Sequence, residues 1–152
     1  MQYGFVFPGG HVHQAVACAE AAEAAGWDGF FVWDAVWGLD PWALLGAVAV
    51  RTQRIRLGTM LTPVSRRRPW KLAGETVTVD HLSNGRLILA VGLGAPDTGF
   101  AEFGEATDRK QRAELRDTAP RCGRIPNGLS PRQRKLRIKR GRAIYRQRGA
   151  SV

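Results

Sequence analysis

Apolar positions along this chain switch repeatedly between two spacings. Tyr3 to Pro8 is a short β-rich run ended by Pro8-Gly9-Gly10, and from Val12 to Ala25 the residues Val12, Ala15, Val16, Ala19 and Ala22 recur at helical spacing. Gly26 supplies the left-handed stop. Asp28 to Trp33 reads as a second strand, and Asp40-Pro41 provides an N-cap and a preorganised first turn for a helix over Trp42 to Arg51. Ile55 to Leu61 predicts a third strand. Pro69 opens a third helix with Leu72, Thr76, Val79 and Leu82 on one face, Asn84-Gly85 ends it, and Arg86 to Val91 predicts a fourth strand. A fourth helix starts near Thr107 or Asp108 and fades at about Arg116.

Strands apolar on both faces and joined by helices pair in parallel through right-handed crossovers. Two architectures satisfy this pattern: the first half of an eightfold barrel, or a small doubly wound open sheet. Strand starts near residues 3, 28, 55 and 86 extrapolate over eight units to about 230 to 250 residues, the size of a closed barrel. The pattern stops at the fourth unit, so length by itself favours the open sheet.

Charge divides the chain sharply. Met1 to Leu115 holds eleven Lys/Arg against twelve Asp/Glu, whereas Arg116 to Val152 holds twelve against one, so the formal net charge of +10 belongs to the tail. All five Trp and all six Phe precede the break. Residues 1–115 are therefore expected to form the folded unit, and 116–152 a basic tail, disordered because it lacks the apolar content to offset ordering entropy. The longest apolar run, Trp42 to Val50, is nine residues, far short of the roughly 20 that span a bilayer. With no basic leader or cleavage motif before the first strand, the expected location is cytoplasmic, without membrane partners. Cys18 and Cys122 lack metal-ligand spacing, so no metal is expected.

In either architecture ligands bind at the carboxyl ends of the strands. The residues placed there include Phe7, Trp33, Asp34, Thr62, Gly92 and Gly94. They form an aromatic and glycine-rich mouth without a nucleophile triad or paired carboxylates, suited to a flat conjugated ligand such as a flavin. Asp34 and Thr62 are candidates to bond its edge, or else serve only as a turn cap and a bend. His11, His13 and His81 read as ordinary solvated or helical positions. Arg66-Arg67-Arg68, beside a helix N-terminus, reads as a solvated loop or as an attractor for an anionic group. In the tail, nine Lys/Arg and no acid between Arg132 and Arg148 imply nonspecific, salt-sensitive contact with polyanions, the alternative reading being a nucleic-acid or anionic-surface binder.

Five segments in order carry a resemblance: Gly26 to Asp34 (GWDGFFVWD), Arg56 to Pro63 (RLGTMLTP), Arg68 to Ala73 (RPWKLA), Asp80 to Arg86 (DHLSNGR) and Leu89 to Gly94 (LAVGLG). Together they resemble the bacterial luciferase-like superfamily of flavin-dependent oxidoreductases, over the N-terminal half only. The resemblance implies an α/β chain holding the first four βα units of a TIM (β/α)8 barrel, truncated and followed by the basic tail. It implies a flavoprotein monooxygenase or oxidoreductase that binds FMN, or in a sister branch deazaflavin. In the FMN branch a separate flavin reductase supplies reduced cofactor, oxygen is consumed and a small-molecule substrate is oxygenated; in the deazaflavin branch a hydride is exchanged. Many members place His after the Trp-Asp pair, where this chain has Ala35. A reading-frame shift is the leading explanation for the change of text near residue 116. Exposed sheet edges imply self-association, and the lack of later strands implies that this polypeptide alone binds flavin weakly or not at all and is inactive by itself.

Overall fold

A computed structural model describes residues 1–95 and 99–118, the latter with side chains to 114, and the backbone of a short pair in the tail. The elements are β1 (Gly4–Val6), α1 (Val12–Ala24), β2 (Gly29–Val32), α2 (Pro41–Arg51), β3 (Arg56–Thr59), β4 (Thr62–Pro63), α3 (Pro69–Leu82), β5 (Leu87–Ile88), β6 (Val91–Gly92) and α4 (Arg109–Thr118). Single 3-10 turns occupy Val64–Arg66 and Ala101–Phe103. β7 (Ile138–Lys139) and β8 (Arg142–Ala143) form a separate antiparallel pair. The remaining expectations for the tail, Cys122 included, lie outside the described residues.

The main sheet is parallel with order β1-β2-β3-β5. This sequential order separates the two architectures, because a doubly wound sheet reverses direction at a switch point and a barrel does not. Packing agrees. Phe30, Val32, Leu57 and Leu87 join Ala15 and Ala19 of α1, Leu45 and Val48 of α2 and Val79 of α3 in one core cluster. Strand residues of the other parity turn away: a Cβ on Gly4 or Gly29 would stand 2.8 or 2.7 Å from Cε2 of Phe31, so the Phe31 ring lies across glycine on the opposite face. All three helices thus cover a single face, the arrangement of a barrel wall.

Local signals in the sequence act as expected. The Asp40 carboxylate accepts from the Ala43 N–H at 2.8 Å to cap α2, and Gly26, Asn84 and Gly85 have positive φ at the ends of α1 and α3. The third and fourth strands, expected to be continuous, are each broken in two. At the break the Thr62 N–H donates to the Ala90 carbonyl at 2.7 Å and the Thr59 and Thr62 hydroxyls meet at 2.9 Å. β4 and β6 then resume pairing as a small parallel extension, Thr62 opposite Val91 and Pro63 opposite Gly92. Gly58 permits the close approach of β3 and β5 that precedes the break, since a Cβ there would overlap the Ile88 carbonyl oxygen.

Two polar side chains tie the opposite end together. Arg86 donates to carbonyls of Ser83, Ile55, Ala49 and Thr52 and to the Thr52 hydroxyl, at 2.7 to 2.9 Å, satisfying the last turn of α2 and the start of β3 at once. Glu23 accepts the backbone N–H groups of Gln53, Arg54 and Ile55 at 2.6 to 3.0 Å. Burial raises its pKa, but these three donors and the Arg54 charge outweigh it, leaving the carboxyl below its ordinary value. Among the described residues no helix is long and apolar enough to cross a membrane.

Arg86→Met is expected to cost about 3 kcal/mol or more, because it strands buried carbonyls; urea denaturation measures it. Glu23→Gln is expected to flatten the acid limb of stability. Since the folded pKa lies below the unfolded one, the Glu23 contribution is complete above the unfolded value and is lost as pH falls through the folded one. Denaturation midpoints across the acidic range, compared between the two proteins, check the sign.

Candidate functional site

The sheet order brings the loops after β2, β4 and β6 to one rim. At its centre is Asp34, whose side chain is 1% exposed. Its carboxylate accepts from Arg66 Nη2 at 2.7 Å and from Arg67 Nε and Nη2 at 3.1 and 3.0 Å. Arg67 also donates to Glu75 of α3 at 3.1 Å and lies over the Trp42 ring. Two of the three consecutive arginines are therefore turned inward and paired, and only Arg68, which precedes α3, is exposed as a solvated loop residue would be.

Phe100 joins this cluster to the end of β6. The guanidinium carbons of Arg66 and Arg112 lie 5.2 and 3.9 Å from its ring centroid. Arg112, from α4, is 2% exposed, and among the described residues its Nε and Nη2 have no hydrogen-bond partner, nor do Arg66 Nε and Ser65 Oγ. Burial lowers the Arg112 pKa, the Arg66 charge lowers it further, and Glu105 opposes both. A cleft of about 350 Å³ opens here, lined by Val36, Arg66, Arg67, Phe103 and Glu105. Trp37 packs on Phe103 with centroids 4.8 Å apart, and rests where Gly99 has no side chain.

The expected site residues fall in three places. Trp33 is 52% exposed at the end of β2, next to Asp34, which offers no free carboxylate edge because both oxygens are held by arginine. Thr62 and Gly92 sit side by side across the β4–β6 extension, Thr62 fully buried, and Gly94 follows with φ +73°. A Cβ on Gly94 would stand 2.9 Å from Arg112 Nη2, 3.0 Å from Phe100 and 3.1 Å from Pro63, so glycine is required by both backbone and space. Phe7 is apart from these: it is 6% exposed and packs on Phe30 in the helix-facing core, 6.3 Å between centroids. His11, His13 and His81 are exposed. Arg112, Phe100, Phe103 and Glu105 escaped the sequence reading. The available signal was an arginine at an inward position of a helix that has almost no apolar residue to bury.

The model of the luciferase-like monooxygenases matches residues 1–128. The chain belongs to that family. An F420-dependent glucose-6-phosphate dehydrogenase of Amycolatopsis mediterranei is 40% identical over 114 residues, covering 70% of this chain and 34% of the relative. Among solved structures, a monooxygenase from Streptomyces bottropensis superposes with a TM-score of 0.69 at 27% identity, covering 78% of this chain and 40% of that one. The FMN-bound oxygenating constituent of 3,6-diketocamphane monooxygenase from Pseudomonas putida shares the fold, with a TM-score of 0.67 at 20% identity over 78% of this chain and 37% of its own. The chain thus spans about a third of the length of this curated relative, 34%. Family members are named oxidoreductases and monooxygenases, and among them are users of F420 and of FMN.

Asp34→Asn is expected to destabilise the protein by about 3 kcal/mol, since the largely buried guanidinium of Arg66 loses its counter-charge and that of Arg67 keeps only Glu75. Gly94→Ala is expected to cost about 1 to 2 kcal/mol through its positive φ and crowded Cβ. Chemical denaturation at neutral pH checks both.

Proposed function

We propose that this chain supplies the strand-end face on which a flavin-type cofactor ring lies in an oxidoreductase of the luciferase-like family. The observation that carries this reading is the juxtaposition of Thr62, Gly92 and Gly94 at the ends of β4 and β6, with Trp33 at the end of β2. The backbone at Gly92 and Gly94 is only half-buried, and the exposed indole of Trp33 offers a planar ring an apolar wall beside it. The donor set fits as well. Buried guanidinium N–H groups of Arg66 and Arg112 that lack a partner among the described residues suit a cofactor or substrate with anionic oxygens.

The identity of 40% to an F420-dependent dehydrogenase favours the deazaflavin, which exchanges a hydride with a small-molecule substrate. FMN with oxygen is the second reading, favoured by the likeness to a monooxygenase at 27% identity; a separate flavin reductase would then be a partner. In either case Trp33 and the glycines position the ring, while the Asp34–Arg66–Arg67 group holds the loops that shield it from water. β1 and β5 each pair on one side only among the described residues. Such a wall leaves the ring's far face uncovered, so we infer weak affinity and association of the chain through its open edges.

Absorbance titrations of the full chain with F420 and with FMN test the reading. A saturable spectral shift with a dissociation constant on the order of 0.1 mM or weaker, stronger for F420 and weakened about tenfold in Gly92→Val, is the expected result. Absence of any shift, or a shift unchanged in Gly92→Val, would contradict it.

A further inference from the structure

We propose that the rim beside Phe100, between Arg66 and Arg112, is a binding site for a small oxyanion, a phosphate or carboxylate group. Two guanidinium groups share one aromatic ring there, 5.2 and 3.9 Å from its centroid. Like charges so placed oppose each other, and each adds to the cost of burying the other. Asp34 compensates Arg66 in part through its Nη2, yet Arg66 Nε and both Nε and Nη2 of Arg112 remain buried without an acceptor among the described residues. Buried donors are ordinarily satisfied, and several converging in one place mark a missing acceptor.

Arg112 is 98% withdrawn from solvent by its 2% exposure, so bulk water does not meet this need. Its Nη2 lies close against Gly94, where even a Cβ would stand only 2.9 Å away, and Ser65, next to Arg66, adds a buried hydroxyl without a partner among the described residues. Arg66 is also a wall of the adjoining cleft of about 350 Å³, which gives a ligand room to carry its anionic group inward. An oxyanion supplies several lone pairs and the negative charge that the cation pair lacks, which no neutral ligand does. Glu105 stands on the same cleft and acts on Arg112 with the opposite charge. Its carboxylate therefore competes with the ligand and moderates the affinity.

The site does not depend on which cofactor the family member uses, and it excludes the exposed Arg68. Calorimetric titration of the full chain with inorganic phosphate, at constant ionic strength, tests it. The basic tail is common to every variant, so only differences between variants report the site. Arg112→Met is expected to weaken phosphate binding about tenfold or more, Arg112→Lys less, and Arg68→Ala not at all. Glu105→Gln, on the half-buried cleft wall, is expected to tighten it several-fold. If Arg112→Met fails to fold, Glu105→Gln and Arg112→Lys still decide. Competition identifies the source: phosphate displacing FMN but not riboflavin assigns the group to a cofactor tail, and simultaneous binding of phosphate and FMN assigns it to a substrate. Equal phosphate affinity in wild type, Arg112→Met or Arg112→Lys, and Glu105→Gln would overturn the proposal.

Discussion

The carboxylate of Asp34 holds two arginines of the next loop against the end of β2. The arginine side of the rim is positioned through that contact. Arg67 carries it onward to Glu75 of α3, and Arg66 carries it to Phe100 and so to α4. Loops after parallel strands diverge, and apolar packing alone gives them little reason to stay together. A buried, multiply bonded ion pair supplies the missing geometric definition, at the cost of desolvating each charge. The same carboxylate cannot also present itself freely to a ligand, which moves the interest of the site from Asp34 to the groups around it.

A second constraint is the division of the sheet into two unlike faces. The helix-facing side is filled by Phe30, Val32, Leu57 and Leu87, while the other side is floored by Gly4, Gly29 and Gly58 with Phe31 lying across the first two. Helices confined to one side follow from repeated right-handed crossovers in strictly sequential order. The glycine-floored side is the one a barrel turns inward. Break and resumption of pairing at Thr59 to Thr62 then displaces the β4–β6 ends, setting Gly92 and Gly94 at the mouth rather than within the wall.

Much of this was legible in the residues because it is local. Asp40-Pro41 announces the start of α2, Gly26 and Asn84-Gly85 announce helix ends, and each is found at its place. The strand breaks were not legible, since β-rich character is the same on both sides of Met60 and the interruption arises from pairing with a neighbour about thirty residues away, as in the Thr62 to Ala90 bond. Phe7 was placed near the mouth by sequence position, but strand parity turns it into the core. The inward turn of Arg66 and Arg67 was hidden for a related reason. A run of arginines looks solvated until the fold supplies an acid from a different loop. Arg112 is the extreme case: its α4 neighbours Arg109, Lys110 and Gln111 are exposed, and only packing against Phe100 and Gly94 singles it out.

On the proposed reading, a cofactor ring rests on the rim built on Asp34. Amide hydrogen exchange of the full chain with and without saturating cofactor tests this most directly. Slowing of exchange is expected to concentrate in the segments after β2, β4 and β6, around Asp34, Val64 to Arg66 and Leu93 to Ala95. Slowing confined to the opposite end, around Asp28, Gln53 to Ile55 and Asn84, or to the basic tail, would contradict it.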